Sequence, residues 1–446
     1  MVSKEPTPTY LALKRVALHL LLILGGTILI EALLARFIAA RPSMQNVEWW
    51  RSLAGLMDRY GFFNVWTPYP PVFPTLFHAM NQIVPEGYLQ TAWVVFNVCL
   101  LLGQACLIFA ITRHLLGNSE KSLPVSGLAA FTYLAAMWRP RSIVLMGPWM
   151  DQFDYLPTFL LLLGLLLLLK RRETGSAVAC GIGIMTKVFP GLLILLALPI
   201  LGWKRGLRYA AAAAAICVVI ALPFALSNGK IFLSTYRWSA SRPPWESVWA
   251  YAFPALYSRE PLANVPATPS PERSERFFTA PYGRDNAGPS LDGATESRMK
   301  PVDTITFSLT LFCLAAAALM LARGGAPSPV KLCRTSLVMV LALLLFSKGF
   351  SSYFIVWAAP LLCILYPGAQ GFGLCALLIL LGNAELLGLM ARWAEINGDT
   401  HTFARLTAFG SSTAIFWGSI FAREICLLLI AGHQLLMLRS NREITI

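Results

Sequence analysis

Apolar runs long enough to enter a lipid bilayer recur along the whole chain, and nothing else in the sequence limits its fold so tightly. They fall near residues 16–38, 89–112, 124–138, 155–169, 176–187, 190–203, 208–227, 304–322, 333–347, 354–366, 371–391 and 413–438. A helix needs roughly 20 such residues to cross the hydrocarbon core. Hydrophobic residues make up 57% of the 446 and charged residues only 13%, about half the usual share of a soluble domain. The expectation is an all-α polytopic membrane protein forming one transmembrane unit over residues 1–446. The N-terminal stretch starts basic and turns apolar like a signal peptide, but its apolar part is long and contains Glu31. It reads as an uncleaved first span. The chain has no N-x-S/T sequon, which points to a bacterial source.

The net charge is +14, yet nucleic acid is not the expected partner. The basic residues sit in short loops between spans: Lys14 and Arg15, Arg113 and Lys121, Lys170 to Arg172, Lys204 to Arg208, Arg323 to Arg334, Arg439 and Arg442. The positive-inside bias puts these loops, and both termini, in the cytoplasm. Cysteines lie in or at the edge of apolar runs, with no CxxC or Cys/His cluster to hold a metal. There is no P-loop and no glycine-rich dinucleotide motif. Activated substrate must come from elsewhere, and a lipid-borne one fits.

Four segments are too short to span. Residues 176–187 and 190–203 meet at TKVFP, and residues 333–347 and 354–366 meet at SKGFSSY. A helix of 12 to 14 residues rises only about 20 Å. Broken backbone at such depth persists only where protein or water satisfies it. Two broken hairpins therefore predict a hydrophilic cavity open to the outer face. The large loops, 39–88 and 228–303, lie on that face. The second half of the latter is polar and is expected to be partly disordered.

Four constellations carry candidate chemistry. Loop one contains Glu48, Arg51, Asp58 and Arg59 at near-helical spacing, with apolar residues between them. This predicts an amphipathic helix at the interface. It is followed by WTPYPPVFPTLFH, whose prolines are expected to end that helix and turn the chain back. A shielded carboxylate here suits a general base, and the alternative is ion pairing with the neighbouring arginines. Asp151, Gln152 and Asp154 open the span at 155–169, either as helix caps or at the mouth of the cavity. Lys187 and Lys348 mark the two broken hairpins, and Arg423 lies inside an apolar run beside Glu424. These cations suit a phosphate. The other reading is snorkelling for the lysines, and pairing with Glu424 or Glu385 for Arg423. Arg237, Arg242 and Glu246 lie among aromatics in TYRWSASRPPWESVWAY, which suits a sugar, an acyl chain or an interface belt.

The motif order resembles a known family. An acidic, aromatic first loop ending in YPP is followed by DQFDYLPTFLLLLGLLLLLKRR, GIGIMTKVFPGLLILLALP, RPPWESVWA and FSKGFSSYFIVWAAPLL. Together they resemble the GT-C superfamily of integral-membrane glycosyltransferases, most closely the bacterial polyprenol-phosphate-sugar-dependent members, including mycobacterial mannosyltransferases. The resemblance covers roughly residues 40–365. It implies about 11 to 13 spans, an outer-face site, an isoprenoid-phosphate-linked sugar as donor, and a lipid or glycan acceptor in cell-envelope assembly. It also implies inversion by direct displacement, with a loop-one acid as base.

Glu48 falls where many members carry an aspartate, and Asp58 is a second candidate. Some members place an aspartate directly before YPP, where this chain has Pro68, so that variant does not carry over. Asp151, Gln152 and Asp154 match a second-loop motif for acceptor or sugar contacts. Lys187 and the stretch Lys348 to Tyr353 match positions near the donor phosphate. Some relatives use a divalent metal, Mg or Mn, for which Asp151 and Asp154 are the available pair. The rival reading is a transporter or lipid flippase, best served by Glu31 and Glu385.

Overall fold

The computed structural model describes residues 45–117, 119–120, 122–137, 153–241, 244, 246–253, 293–323, 327–396 and 411–439. The expected first span with Glu31, and residues 254–292 of the long loop, lie outside them. Loop one supplies two helices, Gln45–Tyr60 (α1) and Val72–Ile83 (α2). The bundle follows: Leu89–Leu115 (α3), Ser122–Met137 (α4), Tyr155–Leu169 (α5), Glu173–Ile184 (α6), Leu192–Leu201 (α7) and Trp203–Ser241 (α8). Val248–Ala252 (α9) is a single turn or so. Gly293–Ala322 (α10), Pro329–Phe346 (α11), Ala359–Leu365 (α12), Ala369–Ile396 (α13) and Ser412–Arg439 (α14) complete the described residues.

Helices dominate because in hydrocarbon a backbone amide has only its own chain to bond. Among the described residues, five helical stretches are long and apolar enough to cross a membrane, with shorter apolar helices beside them. The protein is an all-α polytopic membrane protein, as expected. α3 packs on α4 and α5, α5 on α6, and α6 and α7 on α8; α11 bridges α10 and α14, and α14 lies along α13. One apolar core runs through these helices, and a second, smaller core forms where loop one, with Trp50, Phe73 and Phe77, meets Trp93 of α3 and Phe153.

The first hairpin is short on both arms, with 12 residues in α6 and 10 in α7. The second is not. α11 starts at Pro329, four residues before the expected start, and its 18 residues rise about 27 Å. Ser328 caps it by accepting the Lys331 amide at 3.2 Å, and Pro329 occupies the first turn, where no amide partner is needed. Lys331, a charge ahead of the apolar run at 333–347, hides this turn in the apolar pattern. Only the return arm stays short, as a tight turn over Ser352–Trp357 and seven residues of α12.

α8 is two helices in one. Asn228 breaks it with φ −150° and ψ 78°. The Asn228 Oδ1 accepts the Ile231 amide at 3.2 Å and so caps the second half. The expected span at 208–227 ends at this break.

Candidate active site

α1 buries Val47, Trp50, Leu53, Ala54 and Met57 and exposes Asp58 and Arg59, as its amphipathic spacing predicted. Its apolar face packs on protein: the Trp50 ring meets Phe73 edge-on at 4.4 Å and Tyr69 at 5.2 Å. The helix ends earlier than the prolines require. Gly61 has φ +89°, a conformation glycine adopts without penalty. The prolines instead start the next helix. Pro71 is the N-cap of α2 and Pro74 lies in its first turn, positions where a missing amide costs nothing.

Loop one is fastened from three sides. The Val72 amide donates to the Met185 carbonyl at 3.0 Å, at the tip of the first hairpin. Thr235 Oγ1 donates to the Thr67 carbonyl at 2.6 Å, and Asn228 Nδ2 donates to Asn64 Oδ1 at 3.2 Å. Tyr69 and Phe73 meet the Phe153 ring at 4.3 and 4.2 Å. Between loop one and α8 lies a small cleft of about 30 Å³, lined mainly by apolar and aromatic side chains such as Phe62, Val65, Tyr69, Phe224, Ile231 and Tyr236.

Phe153 sets the position of Asp154, which is 1% exposed. Asp154 occupies the N-cap of α5 but makes no capping bond. Its Oδ1 accepts from Lys187 Nζ at 2.6 Å and from Trp357 Nε1 at 2.7 Å. Its Oδ2 is buried without a hydrogen-bond partner among the described residues. Lys187 stands in an aromatic box, 4.0 Å from the centre of the Phe354 ring, 4.7 Å from Trp357 and 5.1 Å from Phe153. A cation is favoured there by the ring faces as well as by Asp154. Phe189 and Phe354 both stack on Trp357, at 4.2 and 4.5 Å. Tyr353 lies in the same cluster, within electrostatic reach of Tyr69, Asp154 and Glu246; burial, foremost, pushes its hydroxyl well above the ordinary tyrosine range. It is a neutral hydrogen-bonding hydroxyl at neutral pH.

The structure thus joins Asp154, Lys187 and Tyr353, which were far apart in the sequence. Lys348 belongs to an adjoining group. Its ammonium contacts Asp303 and the Ala240 carbonyl, and its own carbonyl accepts from Ser247 Oγ at 2.9 Å. Arg423 is fully buried: its guanidinium contacts Glu385, Glu424 at 2.9 Å and the Glu246 carbonyl at 2.9 Å. This is the ion-pair arrangement, with Glu385 and Glu424 together, rather than a cation open to phosphate. Asp58 is elsewhere, on the exposed face of loop one, where Gln82 Nε2 donates to it at 2.6 Å and His78 lies at 3.7 Å. Asp151, Gln152 and Arg242 lie outside the described residues, as does the side chain of Glu48, whose backbone is in α1.

Asp154 Oδ1 holds an ammonium at contact distance, and Asp151, the other half of the expected metal pair, lies outside the described residues. Among the described residues no group of three His, Cys, Asp or Glu side chains is placed to hold one.

Trp357, Phe153 and Asp303 escaped the sequence reading. Trp357 looked like one more apolar residue of a span, and only its indole N–H, four residues after Tyr353, hinted at a polar partner. Asp303 was legible as a lone acid at the start of an apolar run.

The described residues thus form a helical membrane bundle with a charged, aromatic-lined cluster under a structured loop. The sequence matches the model of Glycosyltransferase family 87 over residues 66–347, well over half the chain. The chain belongs to that family of integral-membrane glycosyltransferases and is a transferase. The matched region holds Asp151, Gln152, Asp154, Lys187, Arg242 and Glu246; Glu48, Asp58, Lys348, Tyr353 and Arg423 fall outside it. No curated protein matches the chain.

Proposed function

We propose that this glycosyltransferase moves a sugar, mannose or another hexose or pentose, from a polyprenyl-phosphate donor to a hydroxyl of a lipid or glycan acceptor. The reaction takes place on the outer face of a bacterial plasma membrane, with both termini in the cytoplasm, and serves cell-envelope assembly. The observation that carries the reading is the cluster of Asp154, Lys187 and Tyr353 beneath loop one. It combines a fixed cation, a buried carboxylate oxygen without a partner and a neutral hydroxyl, within reach of a loop that carries further acids.

A loop-one carboxylate, Glu48 or Asp58, removes the proton from the acceptor hydroxyl. The hydroxyl oxygen attacks the anomeric carbon as the bond to the phosphate oxygen breaks, inverting that centre. The leaving polyprenyl phosphate carries the negative charge, which Lys187 and Lys348 stabilise. Asp154 and Glu246, with Asp151, Gln152 and Arg242, contact the sugar or acceptor. The apolar cleft between loop one and α8 suits the hydrocarbon part of a lipid substrate. No nucleic acid takes part.

The test is transfer from radiolabelled polyprenyl-phosphate sugars by the purified protein in detergent. Labelled product is expected with at least one common donor. Absence of product with all of them, beside solute uptake by reconstituted vesicles, overturns the reading in favour of transport.

A further inference from the structure

Inside the helical bundle, away from the cluster just described, one cation faces two carboxylates. Arg423 is 0% exposed, Glu385 0% and Glu424 5%. Ionisable groups at such depth are costly and persist when they do something the fold or function needs. Neutralising one another explains the pair of helices α13 and α14, but not the third partner. Arg423 Nη2 reaches out of this group to the Glu246 carbonyl at 2.9 Å. The guanidinium also lies over the Phe350 ring at 3.5 Å, at the turn of the second hairpin.

Glu246 is itself unusual. Its φ is +43°, a left-handed conformation that costs a side-chain-bearing residue energy and persists only where surroundings impose it. The next residue, Ser247, donates to the Lys348 carbonyl at 2.9 Å. Tyr251 in α9 packs against Trp417 and Phe421 of α14 at 5.3 and 4.9 Å. Residues 246–253 therefore form a strap, tied below to α14 and beside to the second hairpin. The Glu246 carboxylate lies within electrostatic reach of both Tyr353 and Arg423.

We propose that Arg423 is a positioning residue, held by Glu385 and Glu424, that fixes the strap Glu246–Phe253 in its left-handed turn beside the Tyr353 cluster. The catalytic part of this proposal rests on the glycosyltransferase reading above; the structural part does not. Arg suits the task because its planar fork serves three partners at once, which a lysine ammonium on a flexible stem does not.

Removing Arg423 alone strands two buried carboxylates and threatens folding. The informative variant replaces the group together: Arg423→Met, Glu385→Met and Glu424→Met. Exchanging a buried ion group for apolar side chains of similar volume is commonly neutral for stability, yet it removes the donor to Glu246.

Hydrogen exchange of the full chain in lipid nanodiscs reads the strap through the amides of Ala250, Tyr251 and Phe253, which bond to Ser247 and Trp249 carbonyls. They are expected to exchange at least about tenfold faster, while the central amides of α13 and α14 keep their wild-type rates. Turnover is expected to fall at least about tenfold in kcat, and Arg423→Lys is expected to restore neither strap nor turnover. A folded triple variant with wild-type exchange at the three amides overturns the proposal. So does a loosened strap with unchanged kcat, or full rescue by lysine. If the strap loosens as expected but the unmodified protein transfers no sugar, the clamp stands and the enzymatic reading falls.

Discussion

Replacing Lys187 with methionine tests the pairing at the centre of the site. Asp154 is 1% exposed and the Lys187 side chain 16%, so solvent screens the pair weakly. The substitution removes a charged hydrogen bond of 2.6 Å, leaving the Trp357 indole as the one described donor to a buried carboxylate that keeps Oδ2 unpartnered. Breaking a buried pair in this way costs about 3–5 kcal/mol. Asp154→Asn is milder, at about 1–3 kcal/mol, because an amide oxygen still accepts from Trp357 and the ammonium keeps its ring faces.

The double variant removes the stranded charge, and methionine sulfur packs well among aromatic rings. It should be more stable than Lys187→Met alone by about 1–3 kcal/mol. The assay is reversible unfolding in mixed micelles, read as a double-mutant cycle. If Lys187→Met unfolds like the unmodified protein, or if adding Asp154→Asn gives no recovery, the two side chains are not paired. Sugar transfer by the double variant separates the roles. Recovered stability with lost transfer gives the Lys187–Asp154 pair a role beyond folding, whereas recovered transfer makes the pair structural.

Further outcomes follow from the same geometry. One of Glu48→Gln and Asp58→Asn should lower transfer at least about 10²-fold; if both retain full activity, neither residue is the base. Asp58 is 46% exposed in its side chain, so Asp58→Asn should change unfolding free energy by less than about 1 kcal/mol, and a larger change contradicts its placement. Gly61→Ala should destabilise by about 1 kcal/mol or more, because φ is +89° and a Cβ would stand 3.2 Å from Asn64 Nδ2; thermal unfolding checks it. Gly388→Leu should disrupt the packing of α13 on α14, since even a Cβ there lies 2.6 Å from the Phe416 backbone; the expected result is loss of the monodisperse detergent-purified protein.

Much of the architecture was legible because bilayer length and apolar runs leave a helix few alternatives. α3 and α5 start within a residue of expectation. α11 did not, because Lys331 in its first turn looks like loop in a pattern that counts charges. The proline stretch was misread for a related reason. Proline both ends and begins helices, and Gly61 had already ended α1. Lys187, Asp154 and Tyr353 were each visible as polar residues in apolar surroundings, but their meeting depends on tertiary packing. Trp357 was invisible because its indole N–H shows its purpose only beside Asp154. Arg423 was seen both as a phosphate ligand and as half of an internal pair, and the packing of α13 on α14 selects the pair.

The ties that hold loop one have a bearing on how the protein is made. Asn64 and Thr67 find their partners in Asn228 and Thr235, 164 and 168 residues later in the chain, and Asp154 waits 203 residues for Trp357. Contacts so distant form late, since the intervening chain must first be synthesised and inserted. Loop one therefore emerges before the surfaces that will order it exist, and the Asp154 pocket closes only after the second hairpin is in place. A chain that ends before residue 357 lacks the indole donor to Asp154, so this pocket is unfinished until the second hairpin has been made.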